Sequence, residues 1–352
     1  MSAKAIRIGD RLIDDQHPPF VIAEMSGNHN QSLERALEIV EAAAKVGAHA
    51  LKIQTYTADT MTINLAEREF FISDQKSLWE GNSLYDLYRK AHPPWEWHSP
   101  IMERANKFGL TCFSTPFDNT AVDFLEELDV PCYKIASFEN TDLNLIRKVS
   151  ATGKPVIISS GMATLSELSE ALSVARQAGC TDIVLLKCTS SYPASPKSTN
   201  INTIPHMREL FGCQVGLSDH TMGTGVALAG IALGATVIEK HFTLRRSDGG
   251  VDSAFSLEPE ELRSLVVESE RVWQSLGGIA YGPTDKEKAS MVFRRSLYIT
   301  QDLRAGDILT HQNLRAIRPG YGLAPGYYDI LIGKRVNKAV KKGTPVSWEF
   351  IG

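Results

Sequence analysis

Apolar residues in this chain fall into short unbroken runs, and each run gives way to a longer stretch with the three-and-four spacing of an amphipathic helix. FVIAEM (20–25), AHALKIQT (48–55), LTCFSTP (110–116) and PCYKIAS (131–137) read as buried strands. KPVIISSG (154–161), DIVLLKCTS (182–190), CQVGLSDH (213–220) and TVIEKHFT (236–243) continue the series. Between them lie helical segments such as LERALEIVEAAAKVG, IMERANKFG, NTAVDFLEELD and TLSELSEALSVARQAG. Gly109, Gly153, Gly179 and Gly234 stand where these helices should stop. Continuously apolar strands suit a sheet covered on both faces, and parallel neighbours need a crossover helix. Eight such alternations predict a (β/α)8 barrel of the TIM type, closed by the helix EPEELRSLVVESERVWQSLG (258–277). An open doubly wound sheet is the alternative, but no strand-order switch is evident for it.

The remaining segments break this rhythm. Residues 1–19 contain IRIGDRLI, which reads as a small β-hairpin turning at Gly9-Asp10. A long irregular insertion, rich in aromatic and charged residues, runs from Tyr56 to about Trp95; its Trp79–Trp97 part suits either a lid or a subunit contact. After the barrel, assigned to 1–276, a Gly- and charge-rich linker is expected at 277–291. A second, mostly β domain is expected at 292–352.

Bulk composition then narrows the function classes. Apolar content of 43% and charged content of 22% are ordinary for a globular protein. A net charge of −4 gives no reason to expect nucleic acid or an anionic membrane as partner. Five scattered cysteines without a C-x-x-C pair suggest reduced thiols in a cytosol. The start MSAKAIRIGD lacks the apolar core of a signal peptide, and no run is long enough to span a bilayer, so a cytoplasmic location is expected. An anionic substrate would have to be met by local cations.

Such cations are present at the strand ends, where a barrel of this kind carries its chemistry. The strands end in Glu24, in Lys52 and Gln54, in Ser114 and Thr115, and in Lys134 and Ser137 with Glu139 just beyond. The later strands offer Ser159-Ser160-Gly161, then Lys187, Thr189 and Ser190, then Ser218, Asp219 and His220, and finally Glu239, Lys240 and His241. Strand-end hydroxyls commonly cap the next helix, and charged groups at a rim commonly pair with each other. Lys52 and Lys134 invite another reading, because each interrupts an apolar run (ALKIQ, YKIAS) where an inward cation needs an anion. Two lysines with hydroxyls suit a phosphate plus a carboxylate. His220 and His241 end neighbouring strands and together suit a divalent metal, with Asp219, Glu239 or Asp252 as a candidate third ligand.

The motifs IAEMSGNHN, LKIQT, FSTPFD, YKIAS, SSGMAT, KCTSSYP, GLSDHT, IEKHF and the terminal RPGYGLAPG resemble, in order and over nearly the whole chain, the sialic acid synthase family. KIQTYTADTMT, SLYDLYRKAHPPWEWH and KCTS resemble its pseudaminic acid branch; the sialic acid branch usually has a His where this chain has Lys187. The resemblance implies a TIM barrel followed by an antifreeze-like (SAF) domain in a domain-swapped homodimer. It implies condensation of phosphoenolpyruvate with an N-acylated amino sugar, using Mn2+ or Mg2+. On this branch the sugar is 2,4-diacetamido-2,4,6-trideoxy-β-L-altropyranose; the N-acetylneuraminate and legionaminate branches share the chemistry with another sugar. By motif, His220 and His241 would bind the metal, and Glu24 would face the metal water or the reacting carbons. Lys52, Thr115, Lys134, Ser137, Ser160 and Ser218 would hold phosphoenolpyruvate, with Ser190 standing where the family has Asn. Gln54, Glu139, Tyr192, Asp252 and Phe255 would line the sugar side, and Arg318 would reach into the partner subunit's site.

Two rival functions fit parts of the sequence. A Schiff-base aldolase would use Lys134 or Lys240 as a covalent amine. A non-catalytic ice- or carbohydrate-binding protein is suggested by the terminal domain alone, and it leaves the rim lysines and histidines unexplained.

Overall fold

A computed structural model describes residues 3–75 and 77–352. The predicted strands form a closed parallel barrel. A hairpin of β1 (Ile6–Ile8) and β2 (Arg11–Ile13) precedes it, with Ile6 opposite Ile13. The barrel strands are β3 (Phe20–Glu24), β4 (Ala50–Thr55), β5 (Thr111–Pro116), β6 (Tyr133–Ile135), β7 (Val156–Ser159), β8 (Ile183–Cys188), β9 (Gln214–Ser218) and β10 (Val237–His241). They pair in chain order, and β10 closes the ring on β3 with His241 opposite Glu24.

Alternation along each strand divides the barrel into two apolar compartments. Outward residues such as Val21, Leu51, Ile135, Ile158, Leu185 and Leu217 pack against the surrounding helices. Inward residues Phe20, Ile22, Ala50, Phe113, Ile157, Val184, Leu186 and Val237 fill the lower interior, where Ile6, Ile8 and Ile13 of the hairpin join them. The hairpin thus adds its isoleucines to the barrel's inner core. Above this apolar plug the inward positions turn polar, and the site begins there.

The helices follow local signals. Ser32, Asp118, Asp142 and Thr164 accept backbone N–H bonds as N-caps. The four glycines expected at helix ends all have positive φ, between 70° and 102°. The closing helix runs Pro259–Leu276. All five cysteines are buried free thiols. Among the described residues, no helix is long and apolar enough to cross a membrane.

The chain divides into compact units at 1–277 and 278–352. The segment read as a linker contains a capped helical turn, Asp285–Lys288, followed by a 3-10 helix over Ala289–Phe293. Thr284 and Glu287 form a reciprocal capping box, which orders a stretch whose composition reads as loop. The second unit pairs β11 (Ser296–Ile299) with β12 (Leu314–Ile317) around a core including Leu297, Leu309, Leu314, Leu331 and Phe350.

Because Ile8 is fully buried, Ile8→Ala should lower stability by about 3 kcal/mol, read as a lower urea midpoint at unchanged m-value. A loss under about 0.5 kcal/mol would mean that the hairpin contributes little to the core.

Candidate active site

Lys52, Lys134 and Glu239 occupy inward positions on β4, β6 and β10 and are only 4%, 2% and 4% exposed. Lys52 Nζ lies 2.8 Å from Glu24 Oε2 and 3.6 Å from Glu239 Oε1, and it donates to Thr115 Oγ1 at 3.3 Å. Lys134 Nζ donates to Ser159 Oγ at 2.6 Å and stands 3.8 Å from the same Glu239 oxygen. Ser218 Oγ donates to Glu239 Oε1 at 3.0 Å. Two ammonium groups therefore share one carboxylate at the top of the apolar plug.

Burial and charge pull these groups in different directions. Burial alone would raise the Glu239 carboxyl, but Lys134 and Lys52 outweigh it and hold it below the ordinary range. Burial raises Glu24, with Glu239 adding to the shift and Lys52 opposing it. Burial lowers the Lys134 ammonium against the pull of Glu239. Lys52 is depressed by burial but ends above its ordinary value because Glu239 and Glu24 both face it.

The two histidines meet beside this cluster, with ring centroids 5.3 Å apart. His220 Nδ1 donates to the Thr189 carbonyl at 2.9 Å, which leaves Nε2 with its lone pair. Burial works against a charge on His220, while Cys188 and Thr189 on the Nδ1 side raise it. His241 is held well below its ordinary value by burial and then by His220 and Lys52, and its buried Nδ1 has no hydrogen-bond partner. A neutral ring with a free nitrogen beside a ring whose tautomer is fixed fits a divalent cation. Among the described residues no three potential ligand side chains converge, so water or substrate oxygens would complete its coordination.

The candidate third ligands are engaged elsewhere. Asp219 faces outward and pairs with Lys240 at 3.0 Å, while Lys240 also donates to the Thr221 carbonyl. The pairing removes Lys240 as an inward amine too: strand alternation sends both residues to the helix side. Asp252 accepts from Ser26 Oγ, and Glu239 is held by the lysines.

The other expected residues separate by contact. Ser190 Oγ donates to Ser137 Oγ at 2.8 Å. Ser160 Oγ accepts from the Cys188 N–H, so Ser159 is the serine that meets Lys134. A Cβ on Gly161, at φ +44°, would lie 2.3 Å from Ser137 Cβ, so this corner closes only with glycine. Gln54 Nε2 donates to Glu24 Oε1 at 3.2 Å and to Ser26 Oγ at 3.1 Å, which ties it to the acid as well as to the cavity wall. Tyr192 packs on His220 at 4.5 Å, and Phe255 stands behind His241 at 4.8 Å. Glu139 lines the cavity with Oε2 buried and unpartnered; burial raises it to about 7 despite Lys134. Lys187 faces outward and donates to its neighbours' Cys188 carbonyl and Thr189 hydroxyl. Arg318 is an exposed residue of the second unit, just before Pro319.

The two lysines, the two histidines, Glu24, Glu239, Glu139, Gln54, Tyr192 and Asp252 border a cavity of about 300 Å³, whereas Thr115, Ser160, Ser190 and Phe255 stand behind its lining. Several of its walls escaped sequence reasoning. Met61, Ile72, Trp79, Leu84, Leu87 and Tyr88 of the insertion, with Phe117, Val251 and Ser26, also line it. Ser26 sits at φ +46°, a conformation that costs energy for any residue but glycine. The spacing Leu84, Leu87, Tyr88, Ala91 was the available signal for the apolar wall: it is one face of a helix.

A parallel barrel with buried cations and paired imidazoles at the strand ends defines an enzyme that handles an anionic substrate. Residues 39–281 match the NeuB family model and residues 294–351 the SAF domain model. The chain is 43% identical to the pseudaminic acid synthase of Helicobacter pylori, covering 95% of this chain and 98% of that protein. It is 35% identical to the N,N'-diacetyllegionaminic acid synthase of Campylobacter jejuni, over 92% and 97%. A sialic acid synthetase of Leptospira borgpetersenii, solved with citrate, superposes with a TM-score of 0.73 at 31% identity, over 82% of this chain and 96% of that one. The chain belongs to the NeuB family.

Glu139 supplies a test of the site's electrostatics. With its carboxyl raised from 4.5 to about 7, the folded state binds the proton more tightly than the unfolded chain, so this group withdraws stability as pH rises from about 5 to 7. Glu139→Gln should remove that fall and gain up to about 3 kcal/mol over wild type at pH 8, with little difference at pH 4. Parallel stability curves for the two proteins would contradict the assignment.

Proposed function

We propose that this enzyme condenses phosphoenolpyruvate with 2,4-diacetamido-2,4,6-trideoxy-β-L-altropyranose and water, releasing phosphate and a nonulosonic acid. The observation that carries the reading is the pair of buried lysines beside the two meeting imidazoles, in a chain more similar to a pseudaminic acid synthase than to a legionaminic acid synthase.

Lys52 and Lys134 bind the phosphate and carboxylate of phosphoenolpyruvate, with Thr115, Ser137, Ser159, Ser190 and Ser218 supplying hydroxyl donors around them. Ser160 acts through the Cys188 backbone that it holds. This clamp fixes carbon 3 of the enol against carbon 1 of the open-chain sugar, a gain in orientation rather than in acid–base chemistry. When bound by His220 and His241, Mn2+ or Mg2+ supplies a Lewis acid for the aldehyde oxygen. Carbon–carbon bond formation leaves carbon 2 electron-poor, and water adds there. Glu24, oriented by Gln54 and Lys52, takes the proton of that water. Cleavage of the carbon 2–oxygen bond then expels phosphate, whose charge stays with the lysines. Glu139, Tyr192 and Asp252 hold the sugar's polar groups, and Phe255 keeps the His241 ring in place. Arg318 serves the site of the partner in a homodimer, where its guanidinium meets an acyl group.

His241→Ala should abolish phosphate release while leaving the folded protein intact by circular dichroism, and chelation should do the same reversibly. Turnover above about one-tenth of wild type in either case would remove the metal from the reading. Lys134→Ala should raise the KM for phosphoenolpyruvate at least tenfold. An unchanged KM would move the anion elsewhere.

A further inference from the structure

The insertion after β4 builds one wall of the cavity, and that wall is chemically unlike the floor. The helix Leu84–Ala91 presents Leu84, Leu87, Tyr88 and Ala91, spaced as one helical face, while Met61 and Ile72 extend the same surface. Among the described residues, the insertion contributes no charged or amide side chain to the lining. The insertion's polar atoms there are the Tyr56 and Tyr88 hydroxyls, which lie outside the patch formed by Met61, Ile72, Leu84 and Leu87, and the Trp79 indole. The Trp79 indole N–H is already spent on the Val251 carbonyl at 2.9 Å. The wall is also fixed in place. Ser83 caps the helix at its start, and His29 Nε2 bonds the Ala91 carbonyl at 3.0 Å at its end. Gln31 Nε2 adds bonds to the carbonyls of Lys90 and His92.

A hydroxyl pressed against such a surface gives up water without a replacement partner, whereas a methyl loses nothing. The reacting carbon 1 of the sugar must lie at the polar floor, so carbon 6, at the opposite end of an open chain, reaches away from it. We propose that Met61, Ile72, Leu84 and Leu87 form the subsite for the carbon 6 methyl group and select 6-deoxy over 6-hydroxy sugars. This rests on the function proposed above and adds the residues that decide which sugar is taken.

Phosphate release from phosphoenolpyruvate is to be measured with the 2,4-diacetamido 6-deoxy sugar and with its 6-hydroxy counterpart. Wild type should favour the deoxy sugar by about 10- to 100-fold in kcat/KM. Ile72→Thr and Leu84→Asn, both at half-buried positions, should each shrink that ratio at least fivefold while the KM for phosphoenolpyruvate stays unchanged. A variant that merely misfolds in part would lower the rate with both sugars equally and leave their ratio unchanged, so the ratio isolates recognition. Equal use of the two sugars by wild type, or an unchanged ratio in both variants, overturns the subsite while the synthase reading stands. If loss of discrimination instead follows removal of the 4-acetamido group, that group occupies the wall and the proposal is wrong. Turnover of N-acetylmannosamine with neither diacetamido sugar accepted would overturn the proposed function, and this subsite with it.

Discussion

Glu239 stands between two buried ammonium groups, and the rest of the site depends on that arrangement. Removing one partner of a buried charge cluster costs about 3–5 kcal/mol, so none of the three can be lost without disturbing the others. Burial pushes Glu24 towards its neutral form while the lysines keep Glu239 ionised. Both ammonium groups share the Glu239 carboxylate and also border the cavity, where an incoming anion can reach them. Lys240 and Asp219, by contrast, pair on the other side of the wall and take no part in the cavity.

The barrel makes this economical. Its closed ring of parallel strands brings inward residues from seven strands into one cluster, and the alternation that sends Phe113 and Ile157 into the plug sends Thr115 and Ser159 to the site. Rigidity follows from the same geometry, because each reactive group sits at a strand end held by two neighbours. The water-excluding plug beneath, sharing its core with the N-terminal hairpin, is what makes these charges strong.

Floor and wall have separate duties. The floor carries cations, imidazoles and carboxylates, whose chemistry suits any acceptor aldehyde. The insertion wall is mostly apolar, with Met61, Ile72, Leu84 and Leu87 together, and its main helix lies outside the barrel's repeating unit. Reaction and selection can thus be altered independently, one by strand-end residues and the other by the loop after β4.

Much of this was legible along the chain. Short apolar runs alternating with amphipathic segments point to a parallel sheet buried on both faces, and eight of them without a strand-order switch favour the barrel over an open sheet. Lys52 and Lys134 declared themselves by interrupting those runs, and His220 and His241 by ending two of them. What the chain could not disclose was direction, since residues one apart on a strand face opposite ways. That single step separates Ser159 from Ser160 and Glu239 from Lys240, and it takes Asp219 away from the histidines. The insertion's place over the cavity was hidden for a different reason. Its packing is set by contacts such as Trp79 to Val251, 172 residues apart, which no local pattern encodes.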